Sequence, residues 1–282
     1  MNTTLISAAD LAHQIATQPP SLAVVDCRFS LADTGRGRRA YLDSHIPGAV
    51  YADLDADLSG PVIPGVSGRH PLPDPDTLAR TLGGWGIGPR VQVVVYDDAG
   101  GSIAARLWWL LRWLGHEATA LLDGGWQAWL DAGGATAQGL ETRAPAQFIP
   151  RVQPGWVLDT PTVAAIRQHP AWRLLDARSA DRFRGENETI DPVAGHIPGA
   201  RSAPWAENLA ADGRFLPPEQ LAARYQALLD ATPPAQTAVY CGSGVTACHT
   251  LLALTHAGLP GAKLYAGSWS EWITNKELDV GC

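Results

Sequence analysis

The chain has 282 residues, of which 46% are hydrophobic and 17% are charged, and its formal net charge at pH 7 is −7. This length allows two domains of about 140 residues each, and the composition is typical of a soluble globular protein. The acidic charge argues against a nucleic-acid partner, because binding to phosphates needs a basic face.

Membrane attachment, secretion and structural metal are also disfavoured. No apolar run of about 18 residues could span a bilayer, and no polybasic stretch would bind an anionic membrane surface. Residues 1–10 lack the basic start and the apolar core of a secretory signal. The cysteines form no CxxC pair, no zinc-like spacing and no disulfide framework: they are Cys27, Cys241, Cys248 and Cys282. We therefore expect a cytoplasmic protein with free thiols and no metal or other cofactor.

Apolar runs alternate with helical patterns along the chain. Runs typical of buried parallel strands stand at residues 21–25, 91–96 and 237–240. Helical patterns cover residues 8–17, 102–114, 160–168, 218–229 and 245–257. Gly115 and Gly258 stand where two of these helices should end. The alternation predicts an α/β fold in which each domain is a mostly parallel sheet with helices on both faces.

Four blocks of sequence occur twice in the same order. VVDCR at 24–28 matches LLDAR at 174–178, and HIPGA at 45–49 recurs letter for letter at 196–200. VVYD at 94–97 matches AVYC at 238–241, and LDGGWQAW at 122–129 matches YAGSWSEW at 265–272. The pattern predicts a tandem duplication. We place the first domain at residues 1–141, a linker at 142–157 and the second domain at 158–282.

The strongest chemical signal is the Cys241 loop, residues 241–246, which follows the strand predicted at 237–240. Ligands of such sheets bind at the carboxyl ends of the strands. Gly242 and Gly244 allow the backbone to curl, so that successive N–H groups point at one atom. Together with the positive end of the following helix, this cradle should stabilise an anionic, reactive sulfur on Cys241.

A cysteine at a strand end can also be a small buried hydrophobe. That interpretation suits Cys27 and Cys248, whereas a purely structural turn would not need a cysteine before the Gly-Ser-Gly of residues 242–244. Cysteine phosphatases and arsenate reductases need an arginine six residues after the cysteine, and Ala247 stands there. We therefore expect Cys241 to be a nucleophile outside those two classes.

The repeated blocks, the Cys241 loop and the Gly-Ser-Trp-x-x-Trp segment at 267–272 resemble the two-domain rhodanese-like sulfurtransferases over nearly the whole chain. In that family the second domain carries the catalytic cysteine and the first is a silent copy. Asp97 occupies the position of Cys241 in the repeat, and a carboxylate cannot carry a sulfur atom. The resemblance implies a Cys241 persulfide, ping-pong turnover, and a first domain that shapes and closes the site.

The resemblance also bears on the sulfur donor. Thiosulfate enzymes of the family typically have basic residues after the cysteine, whereas mercaptopyruvate enzymes have Cys-Gly-Ser/Thr-Gly-Val-Thr, as here. It therefore implies 3-mercaptopyruvate, with thiosulfate as the alternative donor. The loop residues expected to bind the donor are Gly242, Ser243, Gly244, Val245 and Thr246. Arg184 matches the arginine that holds the donor carboxylate in the mercaptopyruvate enzymes, but the second arginine that they often have is missing from residues 186–194.

Two more residues match groups that the family places in the active-site cleft. They are His70, in GRHPLP, and Asp55, in DLD. A Ser243–His70–Asp55 relay would polarise the donor carbonyl or supply the proton that pyruvate needs; the alternative is that His70 and Asp55 only stabilise the domain interface. The implied acceptor is cyanide, a small thiol or a thioredoxin-like protein. A persulfide carrier or binding module without turnover is the alternative function.

Two further pairs of repeated residues are interpreted as structural. His45 and His196 lie in the HIPGA turns and should hydrogen-bond to backbone. The repeated Asp-x-Arg residues at 26–28 and 176–178 should form internal ion pairs that fix the end of a strand.

Overall fold

The structure, a computed structural model, describes residues 1–17 and 21–281; Cys282 lies outside the described residues. The described chain divides into two compact units. Unit 1 comprises Met1–Gly60, Pro73–Gln153 and Ala211–Arg214, and unit 2 comprises Pro61–Leu72, Pro154–Ala210 and the chain from Phe215 onward. The short segment 61–72 therefore packs with unit 2, although it lies within the first copy of the repeat.

Unit 1 is built on one parallel sheet. Its described strands are β1 Leu5–Ile6, β2 Leu22–Asp26, β3 Val50–Tyr51, β4 Gln92–Tyr96 and β5 Thr119–Leu122. Its described helices are α1 Ala8–Thr17, α2 Arg36–Asp43, α3 Pro75–Gly84, α4 Ala104–Trp113 and α5 Gly125–Asp131. The strand order is β1-β5-β4-β2-β3, with Val24 of β2 opposite Val94 of β4 and Val94 opposite Ala120 of β5.

Unit 2 repeats this arrangement. Its described strands are β6 Val157–Leu158, β7 Arg173–Asp176, β8 Ala200–Ser202, β9 Thr237–Tyr240 and β10 Lys263–Tyr265. Its described helices are α6 Thr160–Ile166, α7 Ala180–Phe183, α8 Pro218–Leu229, α9 Thr246–His256 and α10 Ser268–Trp272, with 3₁₀ turns at Trp205–Asn208 and Pro234–Gln236. The order β6-β10-β9-β7-β8 is the order of unit 1, and every described strand pair in both sheets is parallel.

The predicted fold, two similar α/β domains with parallel sheets flanked by helices, is confirmed. The helices α1 and α8 have the predicted bounds, whereas α4, α6 and α9 are shorter than predicted by one to two residues at an end. Gly115 and Gly258 follow α4 and α9 with φ of 83° and 75°, the left-handed conformation that ends a helix. Among the described helices, none is long and apolar enough to cross a membrane.

The central strands are apolar because both of their faces are covered. All residues of β2, β4 and β9 are buried, which explains their continuous apolar runs. Helices begin where the sequence supplies caps: Asp74 accepts the Thr77 N–H before α3, and Asp159 accepts the Thr162 N–H before α6, each at 2.9 Å.

In unit 1 the four repeated blocks meet at one buried ion pair. Arg28 Nη2 lies 2.6 Å from Asp26 Oδ2, and the guanidinium carbon lies 4.8 Å from the ring centroid of Trp126. The Tyr96 hydroxyl donates to Asp26 at 2.6 Å and accepts the Ile46 N–H at 3.3 Å. The pair therefore joins β2, β4, the HIPGA turn and α5.

Unit 2 has the same cluster. Arg178 Nη2 lies 2.6 Å from Asp176 Oδ2, and its guanidinium carbon lies 4.8 Å from the Trp269 ring centroid. The Tyr240 hydroxyl accepts the Ile197 N–H at 3.1 Å and hydrogen-bonds to Asp176. Both predicted internal ion pairs are thus confirmed.

The histidines of the two HIPGA turns are fixed by backbone, as predicted. His45 Nδ1 lies 2.7 Å from the Tyr41 carbonyl oxygen, and His196 Nδ1 lies 2.8 Å from that of Phe183. Each imidazole also stacks on the ring of the same partner, with centroids 4.3 Å and 3.9 Å apart respectively.

Removal of the tyrosine hydroxyl in either cluster should destabilise the protein. We expect Tyr96→Phe and Tyr240→Phe each to lower the free energy of unfolding by about 1–3 kcal/mol, because a buried N–H loses its acceptor. Urea unfolding measures the effect. Val62→Ala, at a residue that is 54% exposed, is the control and should change it by less than about 0.5 kcal/mol. Tyrosine variants as stable as this control would contradict the assigned hydrogen bonds.

Candidate active site

Cys241 is the first residue after β9 and is 2% exposed. The Gly244 N–H donates to its Sγ at 3.1 Å. Gly244 has φ of 77°, and a Cβ at this position would lie 2.5 Å from the Ala266 carbonyl oxygen. Only glycine fits there, so the tight turn that brings the peptide N–H to the sulfur depends on this residue.

The start of α10 fixes the backbone of Cys241. The Cys241 N–H donates to Ser268 Oγ at 3.1 Å, and the Cys241 carbonyl oxygen accepts the Trp269 N–H at 3.0 Å. Ser268 has φ of 56°, a left-handed conformation that costs a residue with a side chain about 1–3 kcal/mol. Sequence reasoning did not single out Ser268; the available signal was that the matching position of the repeat is Gly125, which has φ of 58°.

The equivalent loop of unit 1 holds an anion supplied by the chain itself. Asp97 is 1% exposed. Its Oδ1 accepts the N–H groups of Ala99 and Gly101, each at 2.8 Å, and its Oδ2 accepts those of Ile103 and Ala104 at 2.9 and 2.8 Å. Burial raises the pKa of Asp97, while these four hydrogen bonds act to lower it. The loop that follows the fourth strand of this fold is therefore able to surround a negative group with backbone donors.

His70 and Ser243 are in direct contact within unit 2. His70 Nδ1 lies 2.7 Å from Ser243 Oγ, and both residues are buried. Asp55 belongs to unit 1. There its own N–H donates to Asp53 Oδ1 at 2.9 Å, and burial together with the charge of Asp53 raises the pKa of the Asp55 carboxyl. The described contacts thus bring together Ser243 and His70 of the three predicted relay residues.

Two guanidinium groups approach the Cys241 loop, and neither belongs to Arg184. A Cβ on Gly242 would lie 3.2 Å from Arg69 Nη2 and 3.7 Å from Arg182 Nη2. The side chain of Arg184 is 54% exposed and pairs with Glu186 at 2.7 Å. Residues two apart on a helical turn point about 200° away from each other, so Arg182 and Arg184 face different environments. Both Arg182 and Arg69 were missed, although Arg182 stands two residues before Arg184 and Arg69 stands in the GRHPLP segment.

Two buried carboxylates hold these guanidinium groups. One oxygen of Asp191 accepts a hydrogen bond from Arg69 Nη1 at 2.7 Å, and the other accepts one from Arg182 Nη2 at 3.1 Å. Glu188 accepts hydrogen bonds from Arg182 Nε and Nη2, each at 2.9 Å. The side chains of Asp191 and Glu188 are each 2% exposed. Burial alone would raise the pKa of Glu188, but the hydrogen bonds from Arg182 and from two backbone N–H groups outweigh it and lower that pKa.

The remaining predicted residues lie at or near the loop. Val245 precedes α9 and is buried, and Thr246 is the first residue of that helix. The Cys248 thiol donates to the Gly244 carbonyl oxygen at 3.3 Å. Burial, followed by the charges of nearby aspartates, raises the pKa of Cys27 well above its ordinary value, which keeps this thiol protonated. The three described cysteines are thiols and form no disulfide.

Known proteins share this architecture along the whole chain. The family model of the rhodanese-like domain matches residues 7–132 and again residues 160–275. A Pseudomonas aeruginosa protein provisionally named 3-mercaptopyruvate sulfurtransferase is 53% identical over 277 residues, which cover 98% of this chain and 97% of that one. A Mycobacterium tuberculosis protein provisionally named thiosulfate sulfurtransferase is 40% identical over 288 residues, which cover 98% and 96% of the two chains.

A solved structure agrees with these matches. The crystal structure of a 3-mercaptopyruvate sulfotransferase from Escherichia coli is 32% identical, with a TM-score of 0.81, and the match covers 96% of this chain and 100% of that one. Two matches to one domain model, high identity over the full length and agreement of the fold are together sufficient to assign the family. The chain belongs to the rhodanese-like family and is a sulfurtransferase.

Proposed function

We propose that the protein transfers a sulfane sulfur from 3-mercaptopyruvate to a thiophilic acceptor through a persulfide on Cys241. The observation that carries the proposal is the hydrogen bond from the Gly244 N–H to Cys241 Sγ, within a buried loop. The equivalent loop around Asp97, with four backbone donors on one carboxylate, supports an anion-binding role. The name of the Pseudomonas aeruginosa relative supports the donor.

The first half-reaction moves sulfur from carbon to Cys241. The Cys241 thiolate attacks the thiol sulfur of 3-mercaptopyruvate, an S–S bond forms and the C–S bond breaks. The electron pair of the C–S bond goes to the carbon of the leaving fragment, which departs as the pyruvate enolate. The thiol proton ends on that carbon, so the products are pyruvate and a Cys241 persulfide anion whose charge is stabilised by the N–H cradle.

The second half-reaction regenerates the thiolate. A nucleophilic acceptor attacks the outer sulfur, the S–S bond breaks and its electron pair returns to Cys241. With cyanide the product is thiocyanate; a small thiol or a thioredoxin-like protein would take the sulfur in the same way. Release of the first product before the acceptor reacts gives ping-pong kinetics.

His70 and Ser243 are the candidates for handling the proton. Their 2.7 Å contact would let the hydroxyl donate a hydrogen bond to the forming enolate oxygen, or pass its proton to the enolate carbon, while a protonated imidazole donates its Nδ1–H to the hydroxyl oxygen in return. Asp55 is the third member that the sequence predicts for this relay.

Arg182 is the group that we assign to the donor carboxylate. Its guanidinium lies beside the loop, and the planar fork of an arginine matches two carboxylate oxygens. We assign no sulfur chemistry to the first domain, because Asp97 occupies the position of Cys241 and its carboxylate is already fully hydrogen-bonded.

Thiosulfate is the second candidate donor, since the Mycobacterium tuberculosis relative carries that name. The same thiolate would attack the outer sulfur of thiosulfate and release sulfite, which needs no added proton. The two guanidinium groups near the loop could donate hydrogen bonds to the thiosulfate oxygens as well. The choice between the donors is therefore a matter of relative rates.

Paired steady-state assays with cyanide as acceptor test the proposal. We expect kcat/KM for 3-mercaptopyruvate to exceed that for thiosulfate by at least about tenfold, which corresponds to about 1.4 kcal/mol of transition-state preference. Cys241→Ser should reduce both activities to the uncatalysed level. A higher rate with thiosulfate would reverse the donor assignment, and full activity of Cys241→Ser would exclude the persulfide route.

The arginine assignment has a matched control in the same segment. Arg182→Lys keeps the charge but loses the fork, so we expect kcat/KM for 3-mercaptopyruvate to fall about 10- to 100-fold, as for loss of a hydrogen bond to a charged group. Arg184→Lys changes an exposed ion pair and should stay within about twofold. The reverse result would favour Arg184, the residue predicted from sequence.

The proton relay is tested by non-additivity. Ser243→Ala and His70→Gln should each lower kcat with 3-mercaptopyruvate by about 10²-fold. The double variant should lose little more than either single one, because the two residues act as one unit. Asp55→Asn should also lower kcat with 3-mercaptopyruvate. Losses that multiply in the double variant would show that the hydroxyl and the imidazole act independently.

A further inference from the structure

Arg69 reaches the active site on a segment remote in sequence from the other site residues. Its backbone N–H donates to Ser270 Oγ at 3.0 Å. The preceding Gly68 packs so closely on Gly267 that a Cβ would lie 2.5 Å from the Gly267 carbonyl oxygen. The segment that contains Gly68 and Arg69 therefore packs against the start of α10, which also hydrogen-bonds to the backbone of Cys241.

The guanidinium of Arg69 keeps donor capacity that the described residues leave unfilled. Nη1 is bound to Asp191 at 2.7 Å, and Nη2 is the atom nearest to a Cβ built on Gly242. Nε is buried and has no hydrogen-bond partner among the described residues. A buried donor without an acceptor costs about 1–3 kcal/mol, so an acceptor supplied by a bound anion would relieve a real penalty.

Asp191 holds two like charges next to each other. One of its oxygens binds Arg69 and the other binds Arg182, at 2.7 and 3.1 Å. Glu188 adds a second buried carboxylate on Arg182. Arg69 and Arg182 balance Asp191 and Glu188. Arg178, which also reaches Glu188 at 3.4 Å, is balanced by Asp176, so this cluster offers directed N–H donors without net positive charge.

Charge balance has opposite consequences for the two donors. The carboxylate of 3-mercaptopyruvate carries one negative charge, and hydrogen bonds from a planar fork satisfy it. Thiosulfate carries two, and two buried carboxylates close to the same guanidinium groups repel a dianion more strongly than a monoanion.

We infer that Arg69 and Arg182 together bind the anionic group of the sulfur donor, and that Asp191 makes this site selective for a singly charged donor. Arg69 is then a second donor-binding residue, contributed by segment 61–72. Asp191 is a specificity-determining residue that acts through the two arginines. The inference rests on the proposed sulfur transfer at Cys241.

The test is the ratio of kcat/KM for 3-mercaptopyruvate to kcat/KM for thiosulfate, with cyanide as acceptor. Asp191→Asn keeps the shape and removes one negative charge, so the ratio should fall about tenfold or more, mainly through a gain with thiosulfate. Arg69→Gln should lower kcat/KM for both donors about tenfold, with the larger part of the change in KM. Glu186→Gln removes a carboxylate from an exposed ion pair with Arg184 and should leave the ratio within about twofold.

The outcomes separate the inference from the proposed function. An unchanged ratio in folded Asp191→Asn would overturn the role of Asp191. If Asp191→Asn fails to fold, as its thermal unfolding would reveal, Arg69→Gln still decides: unchanged KM values for both donors would overturn the inference. In either case a wild-type enzyme that depends on Cys241 would leave the proposed function intact. Absence of wild-type turnover with both donors would overturn the proposed function and the inference with it.

Discussion

The buried ion pair between Asp176 and Arg178 connects β7, β9, the second HIPGA turn and α10 in unit 2. Loss of one partner of such a pair typically costs about 3–5 kcal/mol, because a charge is left unpaired in the interior. Arg178 also donates to the Gly195 carbonyl oxygen at 2.7 Å and lies over Trp269. Since the Trp269 N–H donates to the carbonyl oxygen of Cys241, the pair contributes to the position of Cys241 as well as to the stability of the fold.

The two units place different loops on the same support. Both have the Asp–Arg pair, the tyrosine and the tryptophan in corresponding contacts. In unit 1 the loop donors bind Asp97, and Gly125 takes the left-handed conformation without strain. In unit 2 a sulfur replaces the carboxylate, and Ser268 accepts that conformation because its hydroxyl binds the Cys241 N–H. The strain therefore occurs in the unit to whose loop we assign the chemistry.

The fold could be predicted because its signals are local and occur twice. Apolar runs identify β4 and β9, and the repeated blocks are the residues that meet at the buried ion pairs. The Cys241 loop could also be predicted from one continuous stretch of sequence, since a strand end, two glycines and a helix start follow one another. The contact of Arg69 with Asp191 spans 122 residues, and nothing in one sequence pairs two such positions. Arg182 was missed for another reason: two arginines stand two residues apart, and only the three-dimensional structure decides which faces the loop.

These arginines change the physical basis of the donor preference. The sequence suggests that a loop without charged side chains attracts a dianion weakly. The structure places Arg69 and Arg182 beside that loop, so guanidinium donors are close to Gly242, the residue after Cys241. Their charge is matched by Asp191 and Glu188, which are both buried and hydrogen-bonded to them. In a site of low dielectric constant, the net charge of the whole cluster determines which anion is favoured. The preference for a monoanion that we propose then follows from charge balance around the loop, and the geometry of the guanidinium groups is left free to orient a carboxylate.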